Sequence, residues 1–326
     1  MTKTLDNWLK NNLACPQEHC KLELQGNTLI CPHGHSYPVV DGIPIMLLKD
    51  KIPTQENIFN LTFDLAQSPP INPNQNNAQE IDPFVQDAIA ATGGIMYEKT
   101  KLTRYPIPNF PLPSGNNQYL LDLGCNWGRW CISAAQNGYI PVGIDPNFEA
   151  ILAARRVSEQ LGLSINYVVG DARYLPFLPN TFDVVFSYSV LQHFAKSDVK
   201  LVISEISQIL KPQGYSFIEM LNTYGLRSFY HLAKRKFRKP IDFEVRYWSP
   251  SELLTNFGII GETSLSVDGF FSANAQVSDK DILSSPFQIV VNISSSLRSL
   301  SEKLPGIKYV ADSLYVKSIK TSSSGS

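Results

Sequence analysis

The stretch Tyr119-Leu-Leu-Asp-Leu-Gly-Cys-Asn-Trp-Gly-Arg-Trp130 decides how the rest of the chain is read. Leu120, Leu121 and Leu123 form a short apolar run, interrupted by Asp122, as in a buried strand. Gly124 and Gly128 bracket a tight loop, and from Arg129 the pattern turns helical, with Trp130, Ala134 and Ala135 as candidate core contacts. A carboxylate just ahead of so bare a turn suits a ligand lying across the strand's carboxyl end.

A dinucleotide fingerprint would need G-x-G-x-x-G around a pyrophosphate at a helix N-terminus. Here the spacing is Gly124-x-x-x-Gly128, and Asn126 stands where a middle glycine would be. Asparagine tolerates positive φ, so the turn survives. An acidic residue before the turn repels a pyrophosphate but suits a ligand with a cationic amino-acid end. On these residues the stretch resembles motif I of class I S-adenosylmethionine (SAM) methyltransferases.

Downstream, strands and helices alternate, which predicts an α/β protein with a parallel, doubly wound, Rossmann-like sheet. The predicted strands are Tyr139–Ile144, Ile165–Val169, Asp183–Ser187 and Tyr215–Met220, with helices from Phe148 to Leu161 and from Ser197 to Leu210. Asp145 lies 17 residues after Gly128 at a strand's carboxyl end, where a carboxylate can accept both ribose hydroxyls. Asp171 ends the next strand, where it can accept an adenine amino group while the Ala172 amide donates to the ring. Phe182-Asp-Val-Val-Phe186 and Leu210-Lys-Pro-Gln-Gly214 also resemble later motifs of the methyltransferase family, so the resemblance covers residues 119–220. It implies a seven-stranded sheet of order 3-2-1-4-5-7-6 with the seventh strand antiparallel. It also implies a SAM site drawn from Asp122, Gly124, Asn126, Gly128, Asp145, Asp171, Ala172 and Ser187.

The chain has 326 residues, 43% hydrophobic and 17% charged, with net charge −1, enough for one sizeable domain and a small module. That balance supplies no global pull toward nucleic acid. There is no run of 18 apolar residues and no apolar signal core at the start, which predicts a cytoplasmic protein. The five cysteines read as thiols or metal ligands, with Cys125 and Cys131 as small packing residues.

The other three cysteines fall in Cys15-Pro-Gln-Glu-His-Cys20 and Cys31-Pro-His-Gly-His35, two knuckles joined by a hairpin that turns at Gly26-Asn27. Cys15, Cys20, Cys31 and His35 give a Cys3His zinc set, with His19 and His33 as spare candidates. The following Tyr37-Pro-Val-Val-Asp-Gly-Ile-Pro-Ile-Met46 resembles the Trm112-like zinc ribbon, and the second knuckle is similar to the zinc module of some rRNA guanine methyltransferases. A full ligand set makes the site structural; a ribbon that folds without metal is the alternative. The module is assigned to residues 1–49, a Pro- and Asn-rich linker to 50–80, the methyltransferase domain to 81–320 and a Ser/Gly tail to 321–326. Asp82 and Pro83 are expected to start a helix, and Tyr97 to pack near the cofactor lid.

Residues 222–308 read as a lid insertion. Within it, Leu226, Phe229, Tyr230, Ala233 and Phe237 form one stripe of a basic amphipathic helix over 226–239. The stripe is expected to face the cleft and roof it, peripheral membrane contact being the alternative. Ser249 should cap the next helix. Ile289, Ile293, Leu297, Leu300 and Leu304 should form one apolar face of another, and Tyr309–Lys317 the last strand.

His193, at the cleft rim after the fourth strand, is the candidate general base, with a role as cofactor shelf as the alternative. Tyr188, Gln192, Glu219, Asn222 and Tyr224 also fall on carboxyl-end loops. No N/D-P-P-Y/F tetrapeptide and no Pro-Cys nucleophile follows the fourth strand, which disfavours base-amino and cytosine-C5 methylation. The favoured reading is O- or N-methylation of a small molecule. An RNA methyltransferase using the ribbon and the basic helix, and a non-catalytic SAM-binding partner subunit, stand as alternatives.

Overall fold

The structure, a computed structural model, describes residues 3–48, 81–93, 102–271 and 276–321. Tyr97, the linker at 50–80 and most of the tail lie outside them. Seven strands form the main sheet: β5 (Tyr119–Leu123), β6 (Ile140–Asp145), β7 (Asn166–Val169), β8 (Phe182–Ser187), β9 (Leu210–Leu221), β10 (Gly261–Gly269) and β11 (Ser313–Lys320). Their spatial order is β7-β6-β5-β8-β9-β11-β10, which in chain count is 3-2-1-4-5-7-6. The first five are parallel and β11 is antiparallel to both neighbours. With helices on both faces the central strands are largely apolar, and in β5 every residue after Tyr119 is buried, Asp122 included.

Between them run α3 (Arg129–Gln136), α4 (Phe148–Gln160) and α5 (Lys196–Ile209), preceded by α1 (Asn7–Asn12) and α2 (Pro83–Gly93). Asp82 caps α2 by accepting from the Phe84 amide at 2.9 Å. Asn147 caps α4 through Ala150, also at 2.9 Å. After β9 come α6 (Leu226–Lys234), α7 (Pro250–Phe257) with the expected Ser249/Glu252 capping box, and α8 (Ser285–Lys303).

The N-terminal module is a four-stranded antiparallel sheet, β1 (Glu23–Gln25), β2 (Thr28–Ile30), β3 (Ser36–Val40) and β4 (Ile43–Pro44), with its first hairpin turning at Gly26. It does not stand apart from the main sheet. Ile45 bridges Val169 on β7, and the Met46 amide donates to Val169 O at 2.7 Å. Trp8 stacks on Tyr119 with centroids 4.8 Å apart, and Leu9, Leu13 and Leu29 share one core with Phe177 and Phe182.

Three expectations in the C-terminal third are corrected. The last strand begins at Ser313, not Tyr309, because residues 305–310 form a 3-10 turn. The Asn222 side chain holds that turn by donating to the carbonyls of Tyr309 at 2.9 Å and Ala311 at 2.8 Å. The basic helix ends at Lys234: Lys236 and Phe237 adopt φ of 54° and 55°, and the Phe237 amide closes back on Leu232 O in a Schellman-type stop. The third correction concerns facing. Ile289, Ile293, Leu300 and Leu304 point to solvent while α8 buries Val291. Leu226, Phe229 and Tyr230 on α6 also point outward, so the stripe does not roof a cleft.

Candidate active site

The loop after β5 requires its two glycines. Gly124 has φ 77°, and a Cβ there would lie 2.5 Å from a Val190 methyl; Gly128 has φ 81°, and its Cβ would meet the Tyr167 hydroxyl at 2.7 Å. Asn126 takes φ 46°, its side-chain oxygen accepting from the Trp127 amide at 2.7 Å. The amides of Gly124 and Cys125 donate to Ile144 O, which ties the loop to the end of β6.

Asp145 completes that tie. One carboxylate oxygen accepts from the Asn126 amide at 3.0 Å and the other from the Asn147 amide at 2.9 Å. Burial nevertheless pushes its pKa up to about 6, outweighing the two amides. Asp122 is buried one strand over, where it accepts from the Cys131 thiol at 3.2 Å. Burial raises it to about 7, the Cys131 contact and Arg129 pull it down, and Asp145 adds to the rise. Cys125 and Cys131 are buried, as packing residues should be.

Asp171 lies two residues beyond the end of β7, beside the buried Ala172, and forms a fork-like pair with Arg173, whose Nη2 lies 2.6 Å from its Oδ2. The Ser187 hydroxyl is buried and donates to Leu123 O at 2.8 Å, bracing β8 against β5. His193 is drawn to the loop at 243. Its Nδ1 lies 2.9 Å from Phe243 O, and its ring stacks on Phe243 at 4.0 Å, nearly parallel. Burial lowers its pKa, Phe243 O works against this and Arg246 reinforces it. The ring is therefore neutral at pH 7. Asn222 is spent on the 305–310 turn and Tyr224 is exposed, so neither faces an acceptor.

A second polar cluster lies at the same end of the sheet, across from the cofactor-side carboxylates. Glu219, buried at the end of β9, accepts from the Ser189 amide at 2.9 Å; Ser189 itself has φ 63°. Asp268, near the end of β10, accepts from the Tyr188 hydroxyl at 3.1 Å and the Ser313 hydroxyl at 2.7 Å. Burial first, then the charge of Asp268, pushes Glu219 well above the usual carboxylate range. Gln276 donates to the Tyr188 hydroxyl, and Gln192 to Ser189 Oγ. The buried Arg129 lies 5.7 Å from the Tyr188 ring centroid and also pulls on Asp122, so it stands between the two acidic groups. Sequence reading named Tyr188, Gln192 and Glu219 but missed Asp268 and Arg129. The pairing of β10 with β11, which fixes Asp268 beside Ser313, leaves no local signal.

In the N-terminal module, Cys15, Cys31 and His35 bring one ligand atom each within 4.8 Å of one another. His35 Nδ1 is 3.4 Å from Cys31 Sγ and 3.6 Å from Cys15 Sγ. Cys20 borders the group: burial raises its thiol, as do the neighbouring sulfurs of Cys31 and Cys15 and a hydrogen bond with Cys31. The spare candidates drop out. His19 turns to Glu205 at 3.7 Å, and His33 is exposed.

The sheet carries a glycine loop after its first parallel strand and acidic residues at or just beyond the carboxyl ends of three neighbouring strands, the end at which open α/β sheets bind ligands. Comparison with known proteins narrows this. Residues 121–218 match the family model described as Methyltransferase domain. Two similar curated proteins are ubiquinone biosynthesis O-methyltransferases. That of Brucella anthropi is 36% identical over 123 residues, covering 36% of this chain and 48% of the relative. That of Bartonella tribocorum is 34% identical over 122 residues, covering 37% and 47%. The match thus spans about half the length of these relatives. A SAM-dependent methyltransferase structure from Methanosarcina mazei aligns with 63% of this chain and 93% of its own at 18% identity and TM-score 0.46, too low to add to the reading.

Proposed function

We propose that this chain is a SAM-dependent methyltransferase acting on an oxygen or nitrogen of a small molecule. The observation that carries the reading is the braced Asp145 beside the Gly124–Gly128 loop, within the segment matched by the methyltransferase model. In this reading Asp145 accepts the ribose hydroxyls, Asp171 and the Ala172 amide read the adenine, and the loop with Asp122 faces the amino-acid end. When bound, SAM supplies a methyl group already activated on a sulfonium. The names of the similar O-methyltransferases favour a hydroxyl acceptor.

An acceptor hydroxyl must lose its proton on methylation, and two groups at the site can take it. His193 is neutral, and if its Nδ1–H donates to Phe243 O then Nε2 keeps a lone pair, but its ring is fastened to the 243 loop. The Glu219/Asp268 pair is the stronger candidate. Burial, and after it the charge of Asp268, favour the protonated form of Glu219. We assign the proton-accepting role to Asp268 of that pair, ordered by the Tyr188 and Ser313 hydroxyls, with Glu219 held nearby by the Ser189 amide.

The Cys15, Cys31, His35 group with Cys20 beside it has the donor chemistry of a structural zinc site in a Trm112-like ribbon. Amides of His35 and His33 donate to the Cys31 sulfur, the knuckle pattern that stabilises a thiolate, although burial opposes them. Calorimetry with SAM and S-adenosylhomocysteine, followed by turnover on a panel of phenols, alcohols and amines, tests the main reading. Failure to bind either nucleoside would sink it. Elemental analysis should find about one zinc per chain.

A further inference from the structure

We propose that residues 224–243, formed by α6 and the turn that follows it, dock on a bilayer surface carrying anionic lipid. This does not rest on the methyl-transfer reading. An ordinary surface helix turns its apolar stripe to the core and its charges to water. Here the arrangement is reversed. Arg227 and Arg235 point inward, donating to Phe271 O at 2.7 Å and Val245 O at 2.9 Å. Asp312 pins the start of the helix by accepting from the amides of Arg227 and Ser228. The apolar stripe is left outside: Leu226 is 67% exposed, Phe229 60%, Tyr230 60% and Phe237 62%. Ile241 and Phe243, 55% and 44% exposed, extend the patch.

The turn is built to present this patch. Phe237, held at φ 55°, packs edge-on against Phe229 on the outer face with centroids 5.9 Å apart. Arg238 clamps the turn by a forked pair with Glu244. A non-glycine residue at positive φ persists only where the surroundings over-determine it.

Charge selects the occupant. Residues 224–243 contain six Lys and Arg against one Asp, a net +5, in a chain whose total is −1; the remainder therefore carries −6. Lys234, Lys236 and Lys239 are exposed beside the aromatic stripe. Large apolar and aromatic side chains beside free lysines, on one short helix, match the interface of an anionic bilayer, where rings enter the headgroup boundary and ammonium groups meet lipid phosphate. No helix of the described residues is long and apolar enough to cross a membrane, so the contact is peripheral. Phe243 also carries the stacked His193, which links the docked surface to the carboxyl-end site.

Flotation of the full chain with phosphatidylcholine vesicles, with and without about 30% phosphatidylglycerol, tests the proposal. Anionic vesicles should bind at least about tenfold more tightly than neutral ones, and added salt should weaken the binding. Phe229→Ser should lose most of it. Lys234→Gln, Lys236→Gln and Lys239→Gln together should lose the anionic preference, with the melting temperature held near wild type because all three are exposed. Phe237→Trp should show a blue-shifted emission on anionic vesicles. Wild-type protein that stays off anionic vesicles would overturn the proposal. So would a preference for a single-stranded RNA oligomer that the lysine variant loses, or a dimer that Phe229→Ser breaks without change in vesicle binding.

Discussion

The two halves of the sheet's carboxyl end hold buried carboxylates by different means. On the β5–β7 side, the loop and carboxylates are held mainly by their own and adjacent strand ends: Asp145 by the amides of Asn126 and Asn147, Asp171 by Arg173 two residues on. On the β9–β11 side, Glu219 and Asp268 are held by groups from two distant segments, at 188–189 and 313, with Gln276 bonded in turn to the Tyr188 hydroxyl. The first half, the cofactor side of the proposed reading, is fixed by short-range backbone geometry. The second exists only once distant strands have paired. A half built this way can change its acceptor without disturbing the cofactor, which suits a fold that serves many substrates.

The largest effect is expected for Asp268→Asn. If the acceptor half handles the proton, kcat should fall by about 10²–10⁴-fold, the usual contribution of general acid–base groups. SAM affinity should be unchanged, since the hydrogen bonds of Asp268 go to Tyr188 and Ser313 and not to the β5–β7 side. Rapid-quench turnover with calorimetry on the same variant separates the two quantities. A loss of SAM binding that matched the loss of turnover would mean that the halves are not independent.

The mirror experiment is Asp145→Ala. It removes charge-assisted hydrogen bonds to the ribose and should weaken SAM by about 1.5–3 kcal/mol. With the carboxyl raised to about 6 in the free protein, SAM affinity should also fall as pH drops through 6, and the variant should lose that dependence. Calorimetry at pH 5 and 7.5 reads both effects.

Legibility in the sequence follows the same division. The strand-loop-helix at 119–130 and the placement of Asp145 and Asp171 at strand ends were readable because each lies within a few residues of its own strand. The closeness of Cys15, Cys31 and His35 and the Gly26 turn were readable for the same reason. Failures collect where partners are distant. The start of β11 is set by Asn222, nearly ninety residues earlier. The facing of α6 is set by Asp312 and by carbonyls at 245 and 271. The apolar periodicity was real in α6 and α8, but periodicity shows only that one face is apolar, not that the body covers it. The linker at 50–80 suggested an autonomous ribbon, whereas Trp8, Leu9 and Leu13 are packed into the main core. If the proposed zinc is bound, its removal should therefore lower the stability of the whole chain rather than of the N-terminal module alone.

A smaller effect concerns Asp122. Its folded pKa of about 7 lies above the unfolded carboxylate value, so between those values the native state binds the proton more tightly. Stability contributed by this group is therefore present at low pH and lost as pH rises through 7, the reverse of an ion-paired aspartate. Asp122→Asn keeps an acceptor for the Cys131 thiol and removes the titration. Unfolding free energies from urea titrations at pH 5.5 and 8 should differ less in the variant than in wild type, by about 1–3 kcal/mol. An unchanged difference would mean that the Asp122 carboxyl is not the group responsible.

The smallest effect lies in the run Lys234-Arg235-Lys236, where one composition hides two environments. Lys234 and Lys236 are exposed. Replacing both with Gln should change stability and turnover on a water-soluble acceptor by less than about 0.5 kcal/mol. Arg235 lies between them but turns inward, donating to Val245 O at 2.9 Å with its guanidinium 5.4 Å from the Tyr247 ring centroid. Arg235→Gln should cost about 1–2 kcal/mol, because a hydrogen bond to a carbonyl and a stacked cation are lost together. The loss should appear as a lower melting temperature and a looser 235–247 segment by amide exchange. It should leave SAM affinity alone, since none of these contacts reaches the β5–β7 side. If Arg235→Gln proved as silent as the lysine pair, the inward anchoring of α6 would be wrong, and with it the reason its aromatic stripe faces outward.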